Sequence, residues 1–170
     1  MKNPDRKPNR IPYFDYGQEN AYFITLCTHN RARIFQMETT SENSAHSLPC
    51  SLQNRLIHKW IKETQNKYPN ISIDNYVIMQ DHLHLLVTIG LQQKGASLEE
   101  VMHFFKTMTT NEYIRGVKAG FLPPFYKKLW QKSYYDHVIR NFQDYQEIWT
   151  YIENNPAKWR YIHESDRNGT

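Results

Sequence analysis

The stretch Asp81-His82-Leu83-His84-Leu85-Leu86-Val87-Thr88-Ile89 constrains this chain more than any other. It is an apolar run in strand-forming residues, and successive side chains on a strand point to opposite faces. Leu83, Leu85, Val87 and Ile89 therefore form one wholly apolar face that has to meet a core. His82, His84, Leu86 and Thr88 share the other face. Two imidazoles carried on one face by a His-x-His spacing stand close enough to hold one divalent cation. The spacing alone does not separate such a site from two ordinary polar residues.

The flanking sequence supplies the rest of a sheet and its helices. Tyr22 to Thr28 is rich in β-formers and bounded by Gly17 and Asn20 before and Asn30-Arg31-Ala32-Arg33 after, which predicts a first strand. Residues 37 to 50 are polar and read as a surface loop. Ser51 can cap a helix with Leu52, Leu56, Ile57, Trp60 and Ile61 at three-and-four spacing, closed by Pro69. Ile71 to Met79 forms the next strand, and the short Gln80-Asp81 connection makes it an antiparallel hairpin with the histidine strand. Ser97 and Glu100 fit a capping box for a second helix carrying Val101, Phe104, Phe105 and Met108 on one side. Lys106, Thr109 and Thr110 lie off that stripe, on a face that is either solvated or in contact with phosphates. Gly116 to Lys128 reads as a loop, Leu129 to Gln131 and Tyr134 to Arg140 as extended. A last helix is expected from Gln143 to Asn154, ended by Pro156, with Phe142, Tyr145, Ile148, Trp149 and Ile152 as its apolar stripe.

A length of 170 residues fits one domain, expected at 13–165 behind a proline-rich basic arm at 1–12 that holds Lys2, Arg6, Lys7 and Arg10. The net charge of +4 favours an anionic partner such as nucleic acid without requiring one. Cys27 and Cys50 form no Cys-x-x-Cys pair and no disulfide framework, which fits a reducing compartment. No stretch has the length and apolarity of a membrane span, and Met1 to Lys7 lacks a signal peptide's apolar segment, so a cytoplasmic protein with no membrane partner is expected.

On the last helix, Tyr151 falls near the edge of the apolar stripe and Asn155 stands one turn further on. A phenol and an amide so placed could give a nucleophile and a third ligand to the histidine pair, or could be a boundary tyrosine and a helix-ending asparagine. Tyr134, Tyr135 and His137 compete for catalytic roles from the preceding extended segment. Trp130, Tyr134, Trp159 and Tyr161, interleaved with Lys127, Lys128, Lys132, Arg140, Lys158 and Arg160, either stack bases and track phosphates or are core aromatics beside surface bases.

Taken in order, Tyr22-Phe23-Ile24-Thr25, Val77 to Val87, Leu129-Trp130-Gln131, Asp136 to Arg140 and Tyr151-Ile152-Glu153-Asn154-Asn155-Pro156 resemble the REP-associated tyrosine transposases, a branch of the HUH single-strand DNA transposases that include the insertion-sequence 200/605 type. The similarity spans roughly residues 13 to 160. It implies an α+β, ferredoxin-like fold with helices packed on an antiparallel sheet, and metal-dependent cleavage and transfer of single-stranded hairpin or palindromic DNA through a 5′-phosphotyrosine intermediate. Carried over residue by residue, His82, His84 and Asn155 become the ligands of a divalent cation, Mg²⁺ or Mn²⁺ with Zn²⁺ also able to bind, and Tyr151 becomes the nucleophile. DNA contacts are expected from Arg10, Lys106, Trp130, Lys132, His137, Arg140, Lys158 and Arg160, in a monomer or a homodimer. Two positions depart from the family pattern: Asp81 stands where Asn or Glu is frequent, and Gln80 where proline is frequent. Two other functions stay open on the sequence, a nucleic-acid binder that does not cut and a metal-dependent hydrolase unrelated to DNA.

Overall fold

A computed structural model describes residues 20–37, 50–90 and 95–165, the last eight of these by their backbone alone. The basic arm at 1–12 and most of the polar segment 37–50 lie outside the described residues. Four strands and three helices follow in the order β1 (Asn20–Cys27), α1 (Leu52–Lys67), β2 (Ile71–Ile78), β3 (His82–Ile89), α2 (Leu98–Lys118), β4 (Tyr135–Ile139) and α3 (Phe142–Ser165). The sheet order is β2-β3-β1-β4 with every neighbouring pair antiparallel. Two β-α-β units, β1-α1-β2 and β3-α2-β4, thus interleave their strands, which is the ferredoxin-like α+β arrangement.

Alternation along β3 divides the interior in two. Leu83, Leu85, Val87 and Ile89 join Tyr22, Ile24 and Leu26 of β1 against Ile57 and Trp60 of α1 and Phe105 of α2. Leu86 points the other way, into a smaller cluster with Val77, Met79, Ile139 and Ile152 that α3 covers. The histidine face is therefore roofed by a helix. His84 is only 5% exposed.

Local chemistry sets the helix starts. The Ser51 hydroxyl accepts from the Asn54 N–H at 3.2 Å, and Ser97 with Glu100 forms the reciprocal capping box. Asn141 Oδ1 accepts from the Asp144 N–H at 2.9 Å and starts α3. Two helix ends differ from expectation. The second helix continues to Lys118, into the segment expected as a loop. Gly116 lets the chain fold back there: a Cβ on it would meet Leu122 Cδ1 at 2.6 Å, and Gly120 turns the chain at φ 78°. Pro156 does not end the last helix, which runs through it to Ser165. A helical proline removes one i→i−4 bond and crowds the carbonyl of residue i−4. Ile152, Asn155 and Pro156 are all buried, and packing this turn on the sheet offsets that cost.

Besides the packing of Ile152, one long-range bond ties α3 to the sheet. Asp74 sits where β2 slips register between Ile73 and Asn75, and its Oδ2 accepts from the Tyr145 hydroxyl at 3.0 Å. Burial, then the Asp74 charge and this bond, push the Tyr145 phenol up to about 12. The neutral phenol is thus favoured by folding, so its contribution is full below the ordinary tyrosine range near ~10 and is lost as pH rises towards about 12. Tyr145→Phe is expected to cost about 1 kcal/mol at neutral pH and to flatten the loss of stability between those two pH values, measured by urea unfolding as a function of pH.

Candidate active site

Residues of three elements meet on the α3 face of the sheet. The register aligns Val77, His84, Thr25 and Tyr135 in one row across β2, β3, β1 and β4, and sets His82 opposite Cys27 two residues further along, the next pair on the same face. The two imidazole centroids are 4.7 Å apart. The His84 ring stacks on Phe23 at 4.9 Å, and the Tyr151 ring stands edge-on to both, 5.4 Å from His84 and 5.7 Å from Phe23. Tyr151 is 41% exposed, so the phenol lies at the mouth of the site while His84 lies at its floor. Asn155, one turn further along α3, is buried.

Each imidazole is held by its Nδ1. His82 Nδ1 donates to Asp81 Oδ1 at 2.6 Å, because an ionised carboxylate can only accept. Burial raises the Asp81 carboxyl, but the bond and charge of His82 and the charge of Arg31 outweigh it and hold the group below the usual range. His84 Nδ1 shares a hydrogen bond with Thr25 Oγ1 at 3.0 Å. Burial, helped by the charges of His82 and Arg31, pushes His84 down to about 3, so this ring is neutral at pH 7 with a lone pair to offer. Among the described residues neither Nε2 has a hydrogen-bond partner. Nδ1 is the engaged nitrogen on both rings, so Nε2 is the one each can turn to a metal, the usual arrangement of a metal-binding histidine with its outer partner.

This donor set suits a divalent cation, and its limits are equally visible. No group of three or more His, Cys, Asp or Glu able to hold a metal occurs among the described residues. Two imidazoles therefore need oxygen ligands from an amide, a phosphate or water to complete a coordination sphere. Cys27 lies across from His82, but burial raises its thiol, against the lowering charge of Arg31, and keeps it protonated.

Sequence reasoning placed the histidines but missed the groups that orient them. Asp81 entered it as part of the hairpin connection and as a departure from a pattern, Thr25 as a strand residue, and Arg31 as a strand boundary. Arg31 follows Asn30 in a turn where both take left-handed backbone angles, φ 54° and 55°, uncommon for residues with side chains. The turn brings the Arg31 guanidinium to 3.5 Å from Asp81 Oδ2. A half-exposed pair of this kind contributes about 0–1 kcal/mol to stability, so its effect is mainly to restrain the carboxylate.

A family model described as Transposase IS200 like matches residues 18–155. The chain belongs to the IS200-like transposase family. It is 28% identical over 170 residues to an uncharacterized protein of Haemophilus influenzae (strain ATCC 51907 / DSM 11121 / KW20 / Rd), covering 91% of this chain and 89% of that one. A REP-associated tyrosine transposase solved bound to a REP hairpin superposes with a TM-score of 0.57 at 20% identity, over 88% of this chain and 72% of that chain, and has the same fold.

The residues of this IS200-like transposase expected to touch DNA are scattered. Arg10 lies outside the described residues, as do the side chains of Lys158 and Arg160. Trp130 is not on a surface: it is 4% exposed, belongs to the main core and donates its indole N–H to Thr109 Oγ1 at 2.9 Å, so it cannot stack a base. Tyr134 is buried in the same core. Lys106 is half-buried and donates to the carbonyls of Gln131 and Lys132 at 2.7 and 2.8 Å, fastening α2 to the segment before β4. His137 and the Arg140 N–H both bond Asp144, at 3.1 and 3.2 Å, while Lys132 and the Arg140 side chain are exposed. No described helix is long and apolar enough to cross a membrane.

If Asp81 orients His82, Asp81→Ala is expected to weaken Mn²⁺ binding by about 10–100-fold with the fold intact. Calorimetric titration of the folded variant checks this, and an unchanged affinity contradicts the role.

Proposed function

We propose that this transposase-family protein cuts and rejoins single-stranded DNA at hairpin or palindromic repeats, with Tyr151 as nucleophile and His82, His84 and Asn155 as ligands of Mg²⁺ or Mn²⁺. The observation that carries the proposal is the edge contact between the Tyr151 ring and the paired, Nδ1-anchored histidines within one chain. Tyr135 shares the face but lies two strands from His84, about 10 Å away by backbone spacing. The hairpin in the similar solved complex is the reason for placing a folded single strand at this site.

The chain's own residues divide the work. The two imidazoles and the Asn155 amide would hold the cation, which when bound supplies charge to polarise a non-bridging phosphate oxygen and to favour departure of an alcohol. Tyr151, at the exposed mouth, reaches a phosphodiester without local unfolding. Its phenolic oxygen attacks phosphorus, the bond from phosphorus to the 3′-oxygen breaks, and the phenolic proton passes to solvent while the departing oxygen becomes a free 3′-hydroxyl. The 5′-phosphate stays on Tyr151, and attack by a 3′-hydroxyl reverses the step. One phosphodiester is exchanged for another, so no external energy source is required. The contact of Tyr151 with His84 lies within one chain, which supports cleavage by a monomer over a site shared between two copies.

Cleavage of a labelled hairpin oligonucleotide in Mn²⁺ tests this. Tyr151→Phe is expected to abolish cutting while hairpin affinity is kept, and His84→Ala to abolish cutting and weaken Mn²⁺ binding. Equal cutting by wild type and Tyr151→Phe removes the nucleophile assignment. Binding by both without any cutting supports a non-cleaving binder instead.

A further inference from the structure

A sizeable cavity among the described residues lies away from the histidines. About 940 Å³ in volume, it lies between the outer side of α2 and the segment leading to β4. Lys106, Lys127, Lys128 and Lys132 line it with His103, and Glu99 is its one carboxylate. Lys127, Lys128 and Lys132 form no ion pair with a described carboxylate. The floor is apolar where Ile114 and Phe125 contribute. Lys127 takes a left-handed backbone angle, φ 58°, and its ammonium lies 5.0 Å from the ring centroid of Tyr126, which is 68% exposed. A rim of uncompensated ammonium groups around an apolar floor, beside an exposed aromatic ring, suits phosphates spaced along a chain with unstacked bases between them.

The lip of this cavity is tied to the end of β1 that carries the site. The Gln131 N–H donates to the Cys27 carbonyl and the His29 N–H to the Leu129 carbonyl, both at 2.9 Å, and Thr28 bridges to Trp130. Cys27 in turn pairs with His82. The cavity and the histidines thus sit on opposite faces of the same end of the sheet, joined by residues 129–132. Lys106 fixes that connection in place through its bonds to Gln131 and Lys132.

We infer that the cavity between α2 and residues 125–134 is a second nucleic-acid site, taking the single-stranded flank of the DNA cut at Tyr151, with its phosphates on Lys127, Lys128 and Lys132. The inference rests on the proposed function, since it assigns a further stretch of the same substrate. A duplex stem fits less well, because paired bases cannot reach the apolar floor. The test is fluorescence anisotropy of an unstructured, end-labelled DNA oligonucleotide with the full chain at several salt concentrations. Each lost phosphate contact lowers the slope of log affinity against log salt by about 0.7 for a single strand, so Lys128→Gln/Lys132→Gln is expected to lower it by about 1.4. Lys62→Gln, which removes an exposed charge from α1, is expected to leave it unchanged. If wild type binds and the double variant keeps the wild-type slope, or Lys62→Gln lowers it as much per charge, the cavity assignment is overturned and the cleavage proposal stands. If wild type binds no unstructured single-stranded DNA at any salt concentration, the cavity assignment is overturned, while the cleavage proposal is decided by the hairpin assay.

Discussion

An imidazole at the centre of a sheet costs free energy unless its polar atoms are used, and the surroundings of His84 follow from that constraint. Thr25, its partner across β1, takes Nδ1. Phe23, two residues earlier on the same face, stacks on the ring and excludes water from one side. Burial then keeps the ring uncharged, and Nε2 is left for a ligand. His82, less buried and two residues nearer the sheet end, is held by an ionised carboxylate instead. The same pleat that packs Leu83 and Leu85 against α1 and α2 thus aims both histidines at α3.

What α3 contributes is a fixed edge. Ile152 buries completely against the sheet, Tyr145 is tied to the irregular point of β2, and Tyr151 is left at the boundary between core and solvent. A tyrosine one position earlier or later on the helix would turn about 100° from this edge. The helix is also carried past Pro156, so Asn155 sits in a buried, regular turn instead of a fraying end.

Local signals in the sequence were sufficient for most of the fold. The alternation of β3, the capping residues Ser51 and Ser97, and the short hairpin connection are decided within a few residues, and the structure has them where the pattern puts them. What could not be read was decided at long range. Asp74 and Tyr145 are 71 positions apart, Lys106 and Gln131 are 25 apart, and no periodicity links either pair. Trp130 was misjudged for the same reason: a tryptophan among lysines looks alike in sequence whether it faces solvent or Thr109. Pro156 shows the converse, a strong local rule overridden by tertiary packing. In the candidate site, the histidine pair and the Tyr151 to Asn155 spacing were legible, whereas the dependence of His82 on Asp81 and Arg31 required the fold.

In the proposed reaction, the geometry of one sheet face and one helix edge makes Tyr151 the group that takes the phosphate. Peptide mapping by mass spectrometry of the covalent product formed with a hairpin oligonucleotide and Mn²⁺ tests it most directly. Trypsin separates Tyr151, in the fragment from Asn141 to Lys158, from Tyr134 and Tyr135, in the fragment from Ser133 to Arg140. A nucleotide adduct is expected on the first fragment, located by fragment ions on Tyr151. An adduct on Tyr135, or cleavage with no adduct on any tyrosine, would contradict the Tyr151 assignment.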